Sequence, residues 1–104
     1  MKAKFHIESG QPQVLINGEW NALSLFLESD ASFEEAKRHI ELKKNRQWMG
    51  NASTLCLISG SLFKVSTELD LDLNPVEIHQ KQLLTLIKEW VKFEEEQVPH
   101  EISV

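Results

Sequence analysis

The stretch STLCLISGSLFKVST, residues 53–67, decides how this chain folds. Successive side chains of an extended backbone point to opposite faces, so Leu55 and Leu57 lie on one side and Thr54, Cys56 and Ile58 on the other. Ser59-Gly60-Ser61 supplies turn chemistry, and Leu62 to Thr67 resumes the alternation with Phe63 and Val65 opposite Lys64 and Ser66. The stretch reads as a β-hairpin. Because both faces of its first arm carry apolar residues, the hairpin is expected near the centre of a sheet. The preceding NRQWMGN, residues 45–51, reads as a polar loop. Asn51-Ala52-Ser53 is formally a glycosylation triplet, but with no export signal ahead of it the triplet is better read as the segment that launches the strand.

Toward the amino terminus, Lys2 to Glu8 alternates, with Ala3, Phe5 and Ile7 on one face and Lys4, His6 and Glu8 on the other. Ser9-Gly10-Gln11-Pro12 turns the chain into Val14-Leu15-Ile16, which ends at the turn dipeptide Asn17-Gly18, so a first hairpin is predicted. From Trp20 to Glu28 two periods compete. Trp20, Leu23 and Leu27 share a helical face, whereas Leu23, Leu25 and Leu27 share a strand face; a strand or a short helical turn is expected. Ser32-Phe33-Glu34-Glu35 matches a capping box, and Phe33, Ala36 and Ile40 follow at helical spacing, which predicts a helix over 33–44.

Toward the carboxyl terminus, ELDLDLN (68–74) alternates and is expected to be a strand or an extended edge, with Leu69, Leu71 and Leu73 inward and Glu68, Asp70 and Asp72 in water. Pro75 ends it, and after Val76-Glu77-Ile78 the strongest helical pattern of the chain runs from Gln80 to Glu96. Leu83, Leu84, Leu86, Ile87, Trp90 and Val91 form its apolar stripe. The expected fold is therefore α+β: an antiparallel sheet of about four to six strands built from hairpins, with two main helices packed on one face. One domain is expected over 1–98, with 99–104 as a flexible tail.

Composition limits the function classes. With 104 residues, 41% hydrophobic and 26% charged, the chain reads as one globular domain. The net charge of −5 argues against nucleic acid as a partner. The basic residues gather at Lys37, Arg38, Lys43, Lys44 and Arg46, where they read as a helix end whose dipole favours cations. No apolar run is long enough for a secretory signal or a membrane span, and Cys56 has no second cysteine to pair with. A cytoplasmic location and no membrane partner are expected.

Candidate chemistry is sparse. DLDLN opens like a calcium loop, but Pro75 replaces the required glycine and Lys81 the required glutamate, so no metal is expected there. His6, His39, His79 and His100 lie in four separate segments without zinc spacing, and His39 and His79 read as solvent-facing. Cys56 lies in a strand and reads as a small buried residue, and the isolated glycines make no phosphate loop. The sequence predicts no catalytic residue, no cofactor and no enzyme. What it offers is surface. Glu68, Asp70 and Asp72 make a candidate acidic face for a basic partner, and Trp48, alone in a polar loop, is equally readable as a partner-binding anchor or as a core plug.

The order INGEWNALSLFLESD, then an amphipathic helix, then WMGNASTLCLI, SLFKVSTEL and a closing helix ending LLTLIKEWVKF resembles small bacterial cytosolic proteins, including immunity-type proteins of toxin systems. The resemblance implies an α+β binder that blocks a toxin, often a nuclease, and carries over no catalytic residue. The expected function is thus a non-enzymatic protein-binding domain, in that family an immunity protein masking a basic toxin. The alternative is a small phage- or host-encoded regulatory protein that acts through homo-dimer or other self-association or by mimicking nucleic-acid charge.

Overall fold

A computed structural model describes residues 1–104. In chain order the elements are β1 (Lys2–Glu8), β2 (Gln11–Ile16), α1 (Ala22–Ser29), α2 (Glu34–Leu42), β3 (Gln47–Met49), β4 (Ser53–Ser59), β5 (Leu62–Thr67), β6 (Val76–His79), α3 (Gln80–Glu96) and β7 (His100–Ser103). They make an α+β fold with two antiparallel sheets, ordered β2-β1-β7 and β3-β4-β5-β6. The hairpin at 53–67 supplies the two central strands of the second sheet, with Leu55 opposite Val65 and a register shift between Leu57 and Ser59. That shift is a bulge, which lets the strand end twist into its turn. In the first sheet, Ser9 and Gly10 both adopt positive φ (52° and 79°), the two-residue turn whose twist matches the flanking strands.

Residues 47–49, read from the sequence as loop, pair with β4 as the edge strand β3 because alternate backbone groups from Arg46 to Gly50 bond to it. Three further segments differ from the expectation of one sheet with two helices on one face. Residues 22–29 form a full helix. The Asn21 side chain accepts hydrogen bonds from the amides of Leu23 and Ser24, and ALSLFLES contains no β-branched residue to oppose the helix. Ala22, Leu23, Ser24, Phe26 and Leu27 are buried, and α1 packs on β2 of one sheet and on β4 and β5 of the other. It therefore joins the two sheets. Residues 68–74 form no strand: the Asp72 amide donates to Asp70 Oδ1 at 3.0 Å and the Leu73 amide to the Asp70 carbonyl at 3.2 Å, so a local Asp turn replaces pairing. Leu69 and Leu71 then face water instead of the core.

The third difference is the carboxyl terminus. Instead of a loose tail, His100–Ser103 pairs with β1 in the register Lys2 to Ser103 and Phe5 to His100. This strand satisfies the edge of β1 that β2 leaves open, and Ile102 and Val104 pack against the core. Two smaller corrections concern helix ends. The capping box does not form: α2 begins at Glu34 after Phe33, and the Ser32 hydroxyl donates to Glu94 of α3. Lys43 ends α2 in a left-handed conformation, φ 51°, so Lys44 and Arg46 lie beyond the helix.

A cluster of 19 buried residues draws on both sheets and all three helices, so the two sheets share one core. From α3 it takes Leu83, Leu86, Ile87, Trp90 and Phe93, leaving Val91 exposed. Gln80 Nε2 donates to the Ile40 carbonyl at 2.9 Å, tying the start of α3 to the end of α2. No helix is long and apolar enough to cross a membrane.

Glu28, on α1, covers the outer edge of β2 by accepting the Val14 amide at 3.1 Å. Burial pushes its carboxyl up from the ordinary 4.5 to about 7, against the opposing pull of that hydrogen bond. The folded state therefore holds the Glu28 proton over a range in which the unfolded chain has released it. The resulting stabilisation is full below about pH 4.5 and lost as pH rises through about 7. For a half-buried group the loss should be about 1–2 kcal/mol after solvent screening. Urea denaturation at pH 5 and pH 8 should show Glu28→Gln with a flatter dependence than the parent; equal slopes would remove Glu28 from this role.

Candidate functional site

Around the turn that joins β3 to β4, a buried carboxylate holds the chain together. Asp30, the residue that ends α1, is fully buried. Its Oδ1 accepts the Asn51 amide at 2.8 Å and its Oδ2 the Ala52 amide at 3.2 Å. A buried polar side chain is costly unless hydrogen-bonded, and these two amides supply the bonds. Gly50 lies where the chain passes closest: a Cβ there would sit 2.6 Å from Trp48 Cη2 and 2.7 Å from Asp30 Cγ. Only glycine fits between the indole and the carboxylate.

The same turn anchors the acidic loop. The Ala52 carbonyl accepts the Glu68 amide at 2.9 Å and the Thr67 hydroxyl at 3.2 Å, while Thr67 Oγ1 in turn accepts the Leu69 amide at 3.1 Å. Trp48, Gly50, Asp30, Ala52 and Glu68 thus form one chain of contacts at one end of the second sheet. The structure brings Trp48 and Glu68 to that end and places Asp70 and Asp72 on the loop beyond. All three acids are exposed. Between them Leu69 is 61% exposed and Leu71 87%, and Met49 on the edge strand β3 is 65% exposed. An apolar side chain that far into water, flanked on both sides by carboxylates, can bind a surface that offers an apolar hollow with cationic margins.

Trp48 divides between the two roles open to it. It pairs with Leu55 across β3 and β4 and packs against the core, yet it remains half-buried and lines a cleft on its other side. That cleft, between α2 and β3, has a volume of about 290 Å³ and is lined by Glu35, Arg38, His39, Leu42, Lys44, Asn45, Gln47 and Trp48. His39 does not face solvent as its sequence position suggests. It is 9% exposed and edge-on to Phe63 at 5.9 Å, and burial holds its imidazole below the usual histidine range.

The remaining histidines are scattered. His6 faces Glu8 at 3.7 Å and His100 faces Glu89 at 3.5 Å, and no group of three or more His, Cys, Asp or Glu side chains is placed to hold a metal. Cys56 is half-buried in β4. Sequence reading missed Asp30, Gly50 and the outward-facing Leu71. The signal for Asp30 is an acid directly after an apolar helix, and its partners, twenty-one residues or more away, carry no side-chain mark. Comparison with protein-family models, curated proteins and solved structures yields no match to this chain.

Proposed function

We propose that this protein is a non-enzymatic protein-binding domain that docks through residues 68–73, and that its partner presents an apolar hollow bordered by basic side chains. The observation that carries the reading is Leu71, 87% exposed on a loop whose base is tied to the folded body through Ala52 and Thr67. An anchored loop loses less conformational freedom on binding than a floppy one, so its contacts contribute more to affinity. Glu68, Asp70 and Asp72 steer a basic partner, and Leu71 supplies desolvated contact. The resemblance to immunity-type proteins gives the reading its specific form: the partner is a basic toxin, and the loop masks it.

Affinity capture and titration with a basic partner test the loop directly. Asp70→Lys with Asp72→Lys should weaken binding by about tenfold or more and reduce its salt dependence. Leu71→Ser should weaken it by about tenfold while leaving that dependence in place. Leu71 lies in solvent, so Leu71→Ser should leave the melting temperature unaltered, while the charge reversal also removes the Asp70 acceptor of the Asp72 amide and should lower it by no more than a few degrees. A partner bound equally by the parent and both variants would move the docking surface off this loop.

A further inference from the structure

The cleft between α2 and β3 has chemistry opposite to that of the acidic loop. Arg38 from the last turns of α2 and Lys44 just past its end both reach it, and neither has a carboxylate within ion-pair distance; the ion pairs of the molecule are His6 with Glu8 and His100 with Glu89. Asn45 and Gln47 add side-chain amides. The pairing phase of β3 adds backbone groups. The Leu57 amide donates to the Arg46 carbonyl at 2.7 Å and the Gly50 amide to the Ser53 carbonyl at 2.8 Å, so bonding to β4 falls on even-numbered residues of β3. The N–H and C=O of Gln47 therefore face the open edge.

The lining also holds an aromatic wall and a buried imidazole. Trp48 packs against the core and its Cη2 lies close to Gly50, so its indole is a held surface against which a planar ring can stack. His39 is nine-tenths buried at this cleft, and its Nε2 is shielded from solvent, so the imidazole closes the floor of the cleft. Glu35, the single acid in the lining, is an acceptor of the kind that holds a ribose hydroxyl.

From these groups we infer that the α2–β3 cleft binds a mononucleotide, with the phosphate between Arg38 and Lys44, the base against Trp48 and the sugar toward Glu35. A volume of about 290 Å³ suits a ligand of that size, at the small end of ligand sites. A single phosphate is the fitting charge. Within the lining Arg38 and Lys44 are the only lysine or arginine side chains, enough to face one phosphate, and the net −5 of the whole chain disfavours a long polyanion.

Isothermal titration of the intact protein with the four ribonucleoside 5′-monophosphates, adenosine, inorganic phosphate and a six-nucleotide DNA strand tests this. At least one monophosphate should saturate with Kd on the order of 1 mM or below. The nucleoside and the phosphate alone should each bind about tenfold more weakly, and Arg38→Gln with Lys44→Gln should weaken the monophosphate by about tenfold at unchanged melting temperature. Saturation by no monophosphate up to about 10 mM would overturn the proposal. So would phosphate binding as well as the nucleotide, an unaffected double variant, or an oligonucleotide bound more than about tenfold tighter than any monophosphate. The acidic loop plays no part in these readouts, so either assignment can fail alone.

Discussion

Asp30→Ala should lower stability by roughly 3–4 kcal/mol, and the melting temperature by roughly 15 °C or more, because it deletes the shared acceptor of two amides from a buried site. Two backbone amides depend on that carboxylate. The Asn51 amide lies at an exposed residue and can find water, but Ala52 is buried and its N–H would be left unsatisfied. Charge-assisted bonds of this kind contribute about 1.5–3 kcal/mol each, and the vacated space adds a cavity penalty. Asp30→Asn should cost about half as much, since one oxygen still accepts while the new amide group opposes the second N–H. The damage should spread along the contact chain to Glu68 and loosen the acidic loop. Gly50→Ala presses on the same carboxylate and indole, so its effect combined with Asp30→Ala should be less than additive. Urea denaturation of the single and double variants checks this; a loss under about 1 kcal/mol for Asp30→Ala would mean the turn is held elsewhere.

Asp30 also explains where sequence reading succeeds and where it stops. β1, the hairpin at 53–67 and α3 are legible because each follows a single period along its whole length. Residues 22–29 are not, since leucines at 23, 25 and 27 and Phe26 satisfy both periods. The choice falls to the Asn21 cap and to a position between two sheets that only the assembled fold creates. In 68–74 the period is present but misleading. Asp70 bonds its own neighbours and the leucines turn outward, so a pattern of perfect alternation yields an exposed loop. The acids chosen as candidates do face water, while the apolar partner between them, Leu71, was assigned to the core. His39 and Arg38 illustrate the same limit for the cleft: their surroundings depend on β3 returning beside α2, a contact that local spacing does not encode.

Trp90→Ala should have the largest effect on the molecule, about 4–5 kcal/mol. Trp90 is the largest fully buried side chain and the junction between α3 and the first sheet. Its ring centroid lies 6.3 Å from that of Phe5 on β1 and 6.0 Å from that of Phe93 on α3, and Phe5 stacks on His100 of β7 at 4.8 Å. Removing the indole opens a void against Phe5 of β1 and Phe93 of α3, and both of these rings contact His100, so collapse into the void would shift β7 as well as α3. Amide hydrogen exchange should therefore rise along His100–Ser103 before it rises in β4 and β5. Trp90→Phe separates volume from polarity. The indole Nε1 is buried with no hydrogen-bond partner, so phenylalanine leaves a smaller gap and also removes an unsatisfied donor. The two terms oppose, and the net loss should be about 1 kcal/mol, well below that of alanine. Equal losses for the two variants would show that a phenyl ring restores none of the packing and that the junction depends on the whole indole.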